Sequence, residues 1–160
     1  MTPTSHALAL AYYERTACSA QWLAFNRSLA IELSAGLPPE ENRRLFARIG
    51  ARVAQQLPLT RCDTLEALEG AFNARWEAIG WGFARLEEGA DTLSITHACS
   101  PLGVAFGADA AGWTRGFLEG AYQTWFQAQG SPVGLRVQAM ADDEESTGTQ
   151  VRLALGKFAE

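Results

Sequence analysis

Few residues in this 160-residue chain could do chemistry. There are two histidines, His6 and His97, and the last of three cysteines, Cys99, lies two positions after His97. Side chains two positions apart on a strand point to the same side, so His97 and Cys99 could begin a metal site. A stable zinc site needs three or four ligands, and no further paired spacing is present. We therefore expect no metal, and we interpret His97 as a core or interface residue.

Carboxylates are the second possible source of chemistry. The acidic residues at 142–145 form a charged loop, which does not hold two carboxyl groups at a fixed separation. Glu119, in contrast, lies in the most apolar helical segment. We predict that it pairs with Arg115 one turn earlier or with an arginine of another subunit, and a functional carboxylate is the alternative. P-loop, dinucleotide-binding and G-x-S-x-G motifs are absent, so the sequence does not resemble an enzyme.

Composition narrows the class of protein. The formal net charge is -5 and the isoelectric point about 5.1, so we expect no nucleic-acid partner. Three widely spaced cysteines suit a reducing compartment. No apolar run approaches the roughly 20 residues of a membrane span, and a secretory signal pattern is not visible. We expect no membrane insertion and a cytoplasmic location, with a periplasmic one as the alternative.

The order of predicted elements indicates the fold that positions these groups. Apolar residues at helical spacing predict helices at 15–35, 39–57, 64–79 and 112–130. Alternating apolar residues predict two hairpins, with strands at 81–86, 92–97, 133–140 and 150–155. The predicted fold class is α+β, with N-terminal helices plus a four-stranded antiparallel sheet made of two hairpins flanking a central helix.

The length predicts a single domain over residues 1–160. We divide it into an N-terminal arm at 1–14, the helices and first hairpin at 15–130, and a C-terminal hairpin at 131–160. Residues 99–109 are predicted to form a loop. The apolar stripe that marks the first helix as amphipathic consists of Trp22, Phe25, Leu29 and Leu33.

Residues typical of helix ends support these boundaries. Pro39 suits the first position of the second helix, and Gly80 suits the end of the third. Either Asp63 or Thr64 is predicted to cap the third helix at its N-terminus.

Glycine recurs at every fourth position of the central helix, at Gly112, Gly116 and Gly120. Each costs about 1 kcal/mol relative to alanine, but together they form a groove that lets another backbone approach. The other faces carry a broad apolar set, which includes Trp113, Phe117, Tyr122 and Trp125. We predict that these glycines and aromatic residues form an oligomer or helix-packing interface, and we favour contacts between copies. A central helix buried within one monomer is the alternative.

Several short motifs, in order, resemble the bacterial cellulose synthase operon protein D family. They are Leu59-x-x-Cys62-Asp63-Thr64, Ile79-Gly80-Trp81-Gly82-Phe83-Ala84-Arg85-Leu86, Ile95-Thr96-His97, and Gly112-Trp113-x4-Leu118-Glu119-Gly120-x-Tyr122-x-x-Trp125. The resemblance runs from about residue 20 to residue 126. Gly116 is not part of the family pattern, and the arm and final hairpin match only in kind.

The resemblance implies an accessory, noncatalytic subunit without a cofactor. Family members assemble into a cylindrical homo-octamer, a tetramer of dimers, within the cellulose synthase complex. Expected partners are the cellulose synthase catalytic subunits, the nascent β-1,4-glucan chain and, in some bacteria, a proline-rich cellulose-synthesis accessory protein. Glucan is expected to run through passages lined by N-terminal segments. Tyr12 and Tyr13 are glucan-contact candidates by residue type, and packing against the first helix is their alternative role.

Two other functions stay open on the sequence. One is a small-molecule or haem-binding sensor domain, with His97 as the iron ligand. The other is a hydrolase acting on glucan through Glu119 or Asp109.

Overall fold

A computed structural model describes residues 4–141 and 149–159, so the predicted acidic loop lies outside the described residues. The helices are α1 (Ser5–Thr16), α2 (Ala20–Gly36), α3 (Pro39–Gln56), α4 (Leu65–Ile79), α5 (Leu102–Phe106), α6 (Ala111–Thr114) and α7 (Gly116–Ala128). The strands are β1 (Phe83–Glu88), β2 (Leu93–Ala98), β3 (Arg136–Ala139) and β4 (Gln150–Gly156). The α+β prediction is confirmed.

The two predicted hairpins form one antiparallel sheet with the strand order β1-β2-β4-β3. Pairing of β2 with β4 joins the hairpins and sets Ile95 opposite Leu153. Along β1, Ala84 and Leu86 are buried and their neighbours are exposed, because successive side chains point to opposite faces. The buried set that lies against the helices includes Ala84, Leu86, Ile95, His97, Val137, Leu153 and Leu155.

The ends of two helices follow local rules that the sequence displays. Pro39 occupies the first turn of α3, where its missing N–H leaves no hydrogen bond unmade. Thr64, rather than Asp63, caps α4, because its Oγ1 accepts a hydrogen bond from the Ala67 N–H at 3.1 Å. Gly80 ends α4 with φ 70°, a left-handed conformation that favours glycine.

The predicted arm is a helix, and the first predicted helix begins later than expected. Thr4 caps α1 by accepting a hydrogen bond from the Ala7 N–H. The sequence did not reveal α1 because this helix contains no buried residue and therefore has no clear apolar face. Ser19 is extended and starts α2, so the helix predicted from residue 15 is interrupted at 17–19.

Two further predictions were wrong in detail. The predicted loop at 99–109 contains α5, whose Leu102 and Ala105 are buried but which is too short to show a helical period. The predicted central helix is divided at Arg115 into α6 and α7. The Arg115 Nε–H donates to the Ala111 carbonyl at 3.0 Å, the oxygen that the Arg115 amide would use in an unbroken α-helix.

The close contact of α3 with α7 explains the glycines of the central helix. An added Cβ at Gly120 would lie 1.9 Å from the Ala47 carbonyl oxygen, and one at Gly116 2.4 Å from the Arg43 carbonyl oxygen. The approach is reciprocal, because a Cβ at Gly50 of α3 would lie 1.9 Å from the Phe117 carbonyl oxygen. Gly112 has open space around it and takes no part in this contact.

No helix in the described ranges is both long enough and apolar enough to cross a bilayer.

Candidate functional site

His97 is fully buried, and both of its ring nitrogens are engaged. Its Nε2 lies 2.8 Å from the Trp81 carbonyl oxygen, which can only accept, so Nε2 carries the proton. Its Nδ1 therefore accepts the hydrogen bond from the Tyr122 hydroxyl at 2.7 Å. Burial lowers the pKa of His97 to about 4, although the bond to Trp81 favours the charged ring.

Tyr122 extends this bonding into the aromatic core. Its hydroxyl accepts a hydrogen bond from the Trp76 indole N–H at 3.0 Å, and burial raises the pKa of the phenol. The polar chain thus runs from Trp76 through Tyr122 and His97 to the Trp81 backbone. An iron or zinc ion at His97 would have to break one of these bonds in a filled core, so this side chain does not fit the predicted haem ligand. Within the described residues, no three His, Cys, Asp or Glu side chains cluster as metal ligands would.

Glu119 is held by partners other than the predicted one. The guanidinium of Arg43 in α3 binds both carboxylate oxygens, with Nε at 2.9 Å from Oε2 and Nη2 on Oε1. The Ala139 N–H of β3 donates to Oε1 at 2.7 Å. Hydrogen bonding to Glu119 raises the pKa of Arg43. Arg115 instead donates to the carbonyls of Ala111 and Met140, so the predicted Arg115–Glu119 pair was wrong.

This ion pair ties three elements together, because Arg43 lies in α3, Glu119 in α7 and Ala139 in β3. Such a bidentate, charge-assisted arrangement fixes the orientation of the Glu119 carboxylate within the fold. Because these contacts use both carboxylate oxygens, Glu119 joins three elements of the fold, which does not favour the hydrolytic role that the sequence left open.

The aromatic residues of the central helix are covered by their own chain. Trp113 packs edge-on against Phe46 with ring centroids 4.8 Å apart, and Phe117 lies 4.5 Å from the Trp81 ring. Trp125 stacks on Phe72 at 5.3 Å. All the large apolar residues named for this helix are buried, namely Trp113, Phe117, Leu118, Tyr122, Trp125 and Phe126.

The assignment of this stripe to contacts between copies is therefore corrected. It is too broad for the sheet alone, as the sequence indicated, but α3 and α4 cover the remainder. Gly116 and Gly120 meet α3 of the same chain, and only Gly112 is exposed. The alternative of a helix buried within one monomer describes Trp113, Phe117, Tyr122 and Trp125.

The two tyrosines of α1 have different surroundings. The Tyr13 hydroxyl donates to the Ser100 carbonyl, which anchors α1 to the segment after β2 rather than to α2. Burial, followed by the nearby Cys99 and Glu14, raises the pKa of Tyr13 to about 12. Tyr12 is 63% exposed, with the Arg15 guanidinium 5.8 Å from its ring centroid. Of the two tyrosines, Tyr12 is the more exposed.

An exposed apolar surface lies on α2. Trp22 is 54% exposed and Phe25 58%, and their rings meet edge to face at 5.7 Å. Every residue of α2 is described, and its one buried residue is Ala30. The helix is nevertheless anchored, because Arg27 donates to the Val104 carbonyl and the Asn42 amide donates to the Leu33 carbonyl.

A groove of about 760 Å³ runs between α2 and α3. Its floor comes from α5, α7 and the residues around Trp81. The larger side chains that line it are Trp22, Leu29, Leu33, Leu45, Phe46, Ile49, Val53, Ile79, Trp81, Leu102, Phe106 and Phe117. None of the described lining residues is charged, so the groove suits an apolar helix or chain segment rather than a polar substrate.

The sequence revealed that α2 has an apolar face, but it did not reveal that this face is exposed. The stripe of Trp22, Phe25 and Leu29 was visible as one face of an amphipathic helix. That face normally turns toward the core of its own chain, whereas here it borders an open groove. Periodicity reports which side of a helix is apolar and does not report what covers it.

Comparison with known proteins adds family information. The model of a family described as the D subunit of cellulose synthase matches residues 8–154. A cellulose synthase operon protein D of Komagataeibacter xylinus is 28% identical over 131 residues, covering 79% of this chain and 84% of the relative. A protein of the same name from Komagataeibacter sucrofermentans is 27% identical over 112 residues, covering 69% of this chain and 72% of the relative.

Proposed function

We propose, from the premise that this chain belongs to the cellulose synthase D-subunit family, that it is a noncatalytic accessory subunit of the bacterial cellulose synthase complex. In this role it organises synthases or guides nascent β-1,4-glucan chains for crystalline cellulose assembly. The observation that carries the proposal is the open apolar face of α2, a surface suited to protein contacts.

The bonding of the reactive groups supports a noncatalytic role. Both nitrogens of His97 and both oxygens of Glu119 are committed to hydrogen bonds between elements of the fold. A general acid or base must be able to exchange a proton with a substrate. His97 has no free ring nitrogen for this, and the Glu119 carboxylate is held by Arg43 and Ala139. We therefore infer that these side chains stabilise the fold and do not take part in catalysis.

Self-association is the second part of the proposal. The proposed assembly is a homo-octamer, a tetramer of dimers, which acts beside the cellulose synthase catalytic subunits and a proline-rich accessory protein. Glucan would meet the assembly at α1, where the exposed ring of Tyr12 can stack on a sugar face. Tyr13 would contribute by fixing α1 through its bond to Ser100.

A cytoplasmic location completes the proposal. Cys18, Cys62 and Cys99 are all unpaired thiols, which suits a reducing compartment. Protease protection in intact cells, compared with cells whose outer membrane has been permeabilised, distinguishes this location from the periplasm.

Light scattering on the purified chain tests the assembly. The expected mass is eight times the 17.3 kDa of one chain. A strictly monomeric protein at micromolar concentration would contradict the proposed scaffold. Release of reducing sugar from soluble cello-oligosaccharides, abolished by Glu119→Gln, would contradict the noncatalytic role.

A further inference from the structure

The exposed face of α2 has the composition of an interface rather than of a solvated surface. Two aromatic residues that are more than half exposed, Trp22 and Phe25, stand beside the partly exposed Leu29. Monomeric proteins rarely leave large contiguous apolar patches in water. A helix whose own chain buries one alanine also gains little of the packing that normally stabilises helices. The face is therefore expected to be covered in the working protein.

The chain carries both halves of one contact. The α2–α3 groove has an apolar lining, and the neighbouring surface of α2 projects apolar side chains of the kind that fill such a groove. A two-fold contact uses the same patch on both subunits, so the patch must offer a ridge and a cavity together. The ridge here is Trp22 with Phe25, and the cavity opens beside Leu33 and Ile49.

Charge also favours a second copy at this face. The whole chain has a formal net charge of -5, so two copies repel each other over most approaches. Helix α2 contains one basic residue, Arg27, and one acidic residue, Glu32, whose charges cancel. The described residues that line the groove add no charge. Copies can therefore meet here without a like-charge penalty.

The available area matches a stable dimer. A standard interface buries about 800 Å² on each partner, of which roughly 60% is apolar. The exposed parts of Trp22, Phe25, Leu29, Ile49 and Ile79 supply apolar surface on the order of 450 Å². This is about the apolar share that such an interface needs.

We infer that two copies of this chain pair across a two-fold axis, with α2 of each copy inserting Trp22 and Phe25 toward the α2–α3 groove of the other. The inference rests on the self-association in the proposed function and names the surface that produces its dimers. The axis passes near Leu29, close to the middle of α2, so that the two α2 helices cross antiparallel.

The first test places a carboxylate on either side of α2. Phe25→Glu would bury an unpaired charge at the contact and should raise the dimer dissociation constant at least about a hundredfold. Ile31→Glu is the matched control, since Ile31 is 67% exposed and lies on the side of the helix opposite Leu29. Light scattering over a dilution series measures both, with circular dichroism verifying that each variant is folded.

The second test does not depend on a disruptive charge. Near a two-fold axis the same position of two copies comes together, so Leu29→Cys should form an intermolecular disulfide on mild oxidation. Ile31→Cys should give no more disulfide-linked dimer than the natural chain, whose own cysteines set the background. The crosslinked species should run as a dimer on a denaturing gel without reductant.

The outcomes separate this inference from the proposed function. If Phe25→Glu assembles like the natural chain and Leu29→Cys does not crosslink, the α2 contact is overturned while self-association through another surface stands. Equal disruption by Ile31→Glu would also overturn the assignment of this face. If the natural chain is monomeric, the inference and the proposed scaffold both fail, and the groove serves a different protein.

Discussion

His97 shows how the fold accommodates a polar side chain in an aromatic core. An imidazole without hydrogen-bond partners would be costly to bury, but Trp81 and Tyr122 satisfy both nitrogens. The Trp76 indole in turn donates to the Tyr122 hydroxyl. Each group in this series of hydrogen bonds fixes the proton position of the next. The arrangement therefore favours a single packing of α4, α7 and β2.

The buried His97 should make stability depend on pH. Its pKa is about 4 in the folded chain against 6.5 for an exposed ring, so the unfolded chain takes up a proton first as the pH falls. The stabilisation is complete above pH 6.5 and is lost progressively toward pH 4. Between about pH 7 and about pH 5 the loss should be about 2 kcal/mol. Urea unfolding at fixed protein concentration measures it.

His97→Gln is the control for this titration. Glutamine has a donor and an acceptor but no ionisation, so the variant should be less sensitive to pH in this window by about the same 2 kcal/mol. An equal pH dependence in both proteins would show that His97 is not the titrating group.

The ion pair of Glu119 with Arg43 should contribute more to the free energy of unfolding than an exposed ion pair does. Glu119→Gln keeps the shape but leaves the Arg43 guanidinium without a carboxylate, and we expect a loss of about 2 kcal/mol in the free energy of unfolding. The comparison is Glu41→Gln, which removes an exposed partner of Arg44 at 3.7 Å and should cost below about 0.5 kcal/mol. Similar costs for the two variants in chemical denaturation would contradict a structural role for the Glu119 pair.

At the scale of elements, the contact of α3 with α7 sets the spacing of the core. Three glycines, Gly50, Gly116 and Gly120, let the two backbones approach until a Cβ would overlap a carbonyl group. The loss of helix propensity at these positions is offset by dispersion contacts along the whole pair. This answers why the most apolar helix of the chain contains glycines at all.

Adding one methyl group to this contact tests that account. Gly120→Ala would place its Cβ against the backbone of Ala47, which cannot move without shifting α3, and should destabilise by about 3 kcal/mol. Gly112→Ala meets open space and should stabilise by about 0.5 kcal/mol through helix propensity alone. Thermal unfolding of both variants decides the matter, and a neutral Gly120→Ala would show that the glycine has no packing role.

The sequence predicted those features of the fold that depend on residues close together along the chain. Apolar and polar residues alternate in the sequences of the strands, and Thr64 and Gly80 are typical of helix ends. The fold class could therefore be predicted. The partner of Glu119 could not be predicted, because Arg43 lies 76 residues away in the sequence and only the contact between α3 and α7 brings it near. Helix α1 was missed because none of its residues is fully buried, so its sequence shows no clear apolar period.

At the scale of the whole molecule, α2 contributes Ala30 to the core as a buried residue and leaves its larger apolar side chains at least partly exposed. The aromatic residues of α6 and α7 are buried, whereas Trp22 and Phe25 of α2 are not. The proposed scaffold role requires this division, because the core of each copy must keep its shape while a separate surface joins the copies. The sequence correctly indicated more apolar surface than one sheet can cover, but the uncovered part lies on α2 rather than on the central helix.

The chemistry of the α2 face predicts how assembly responds to salt. Ionic contacts weaken as salt screens them, whereas burial of apolar surface does not depend on screening. The α2 face is apolar and carries no net charge, so raising NaCl from about 0.05 M to about 1 M should leave the assembled mass unchanged or increase it. The screening of repulsion between chains of charge -5 acts in the same direction.

Light scattering at both salt concentrations, with dilution calorimetry beside it, checks this prediction. Association should show a negative heat-capacity change, the usual sign of buried apolar area. Phe25→Glu should remove that heat-capacity signal, and Ile31→Glu should retain it. Dissociation of the natural chain in about 1 M NaCl would instead mean that charged side chains hold the copies together, since only ionic contacts weaken under such screening.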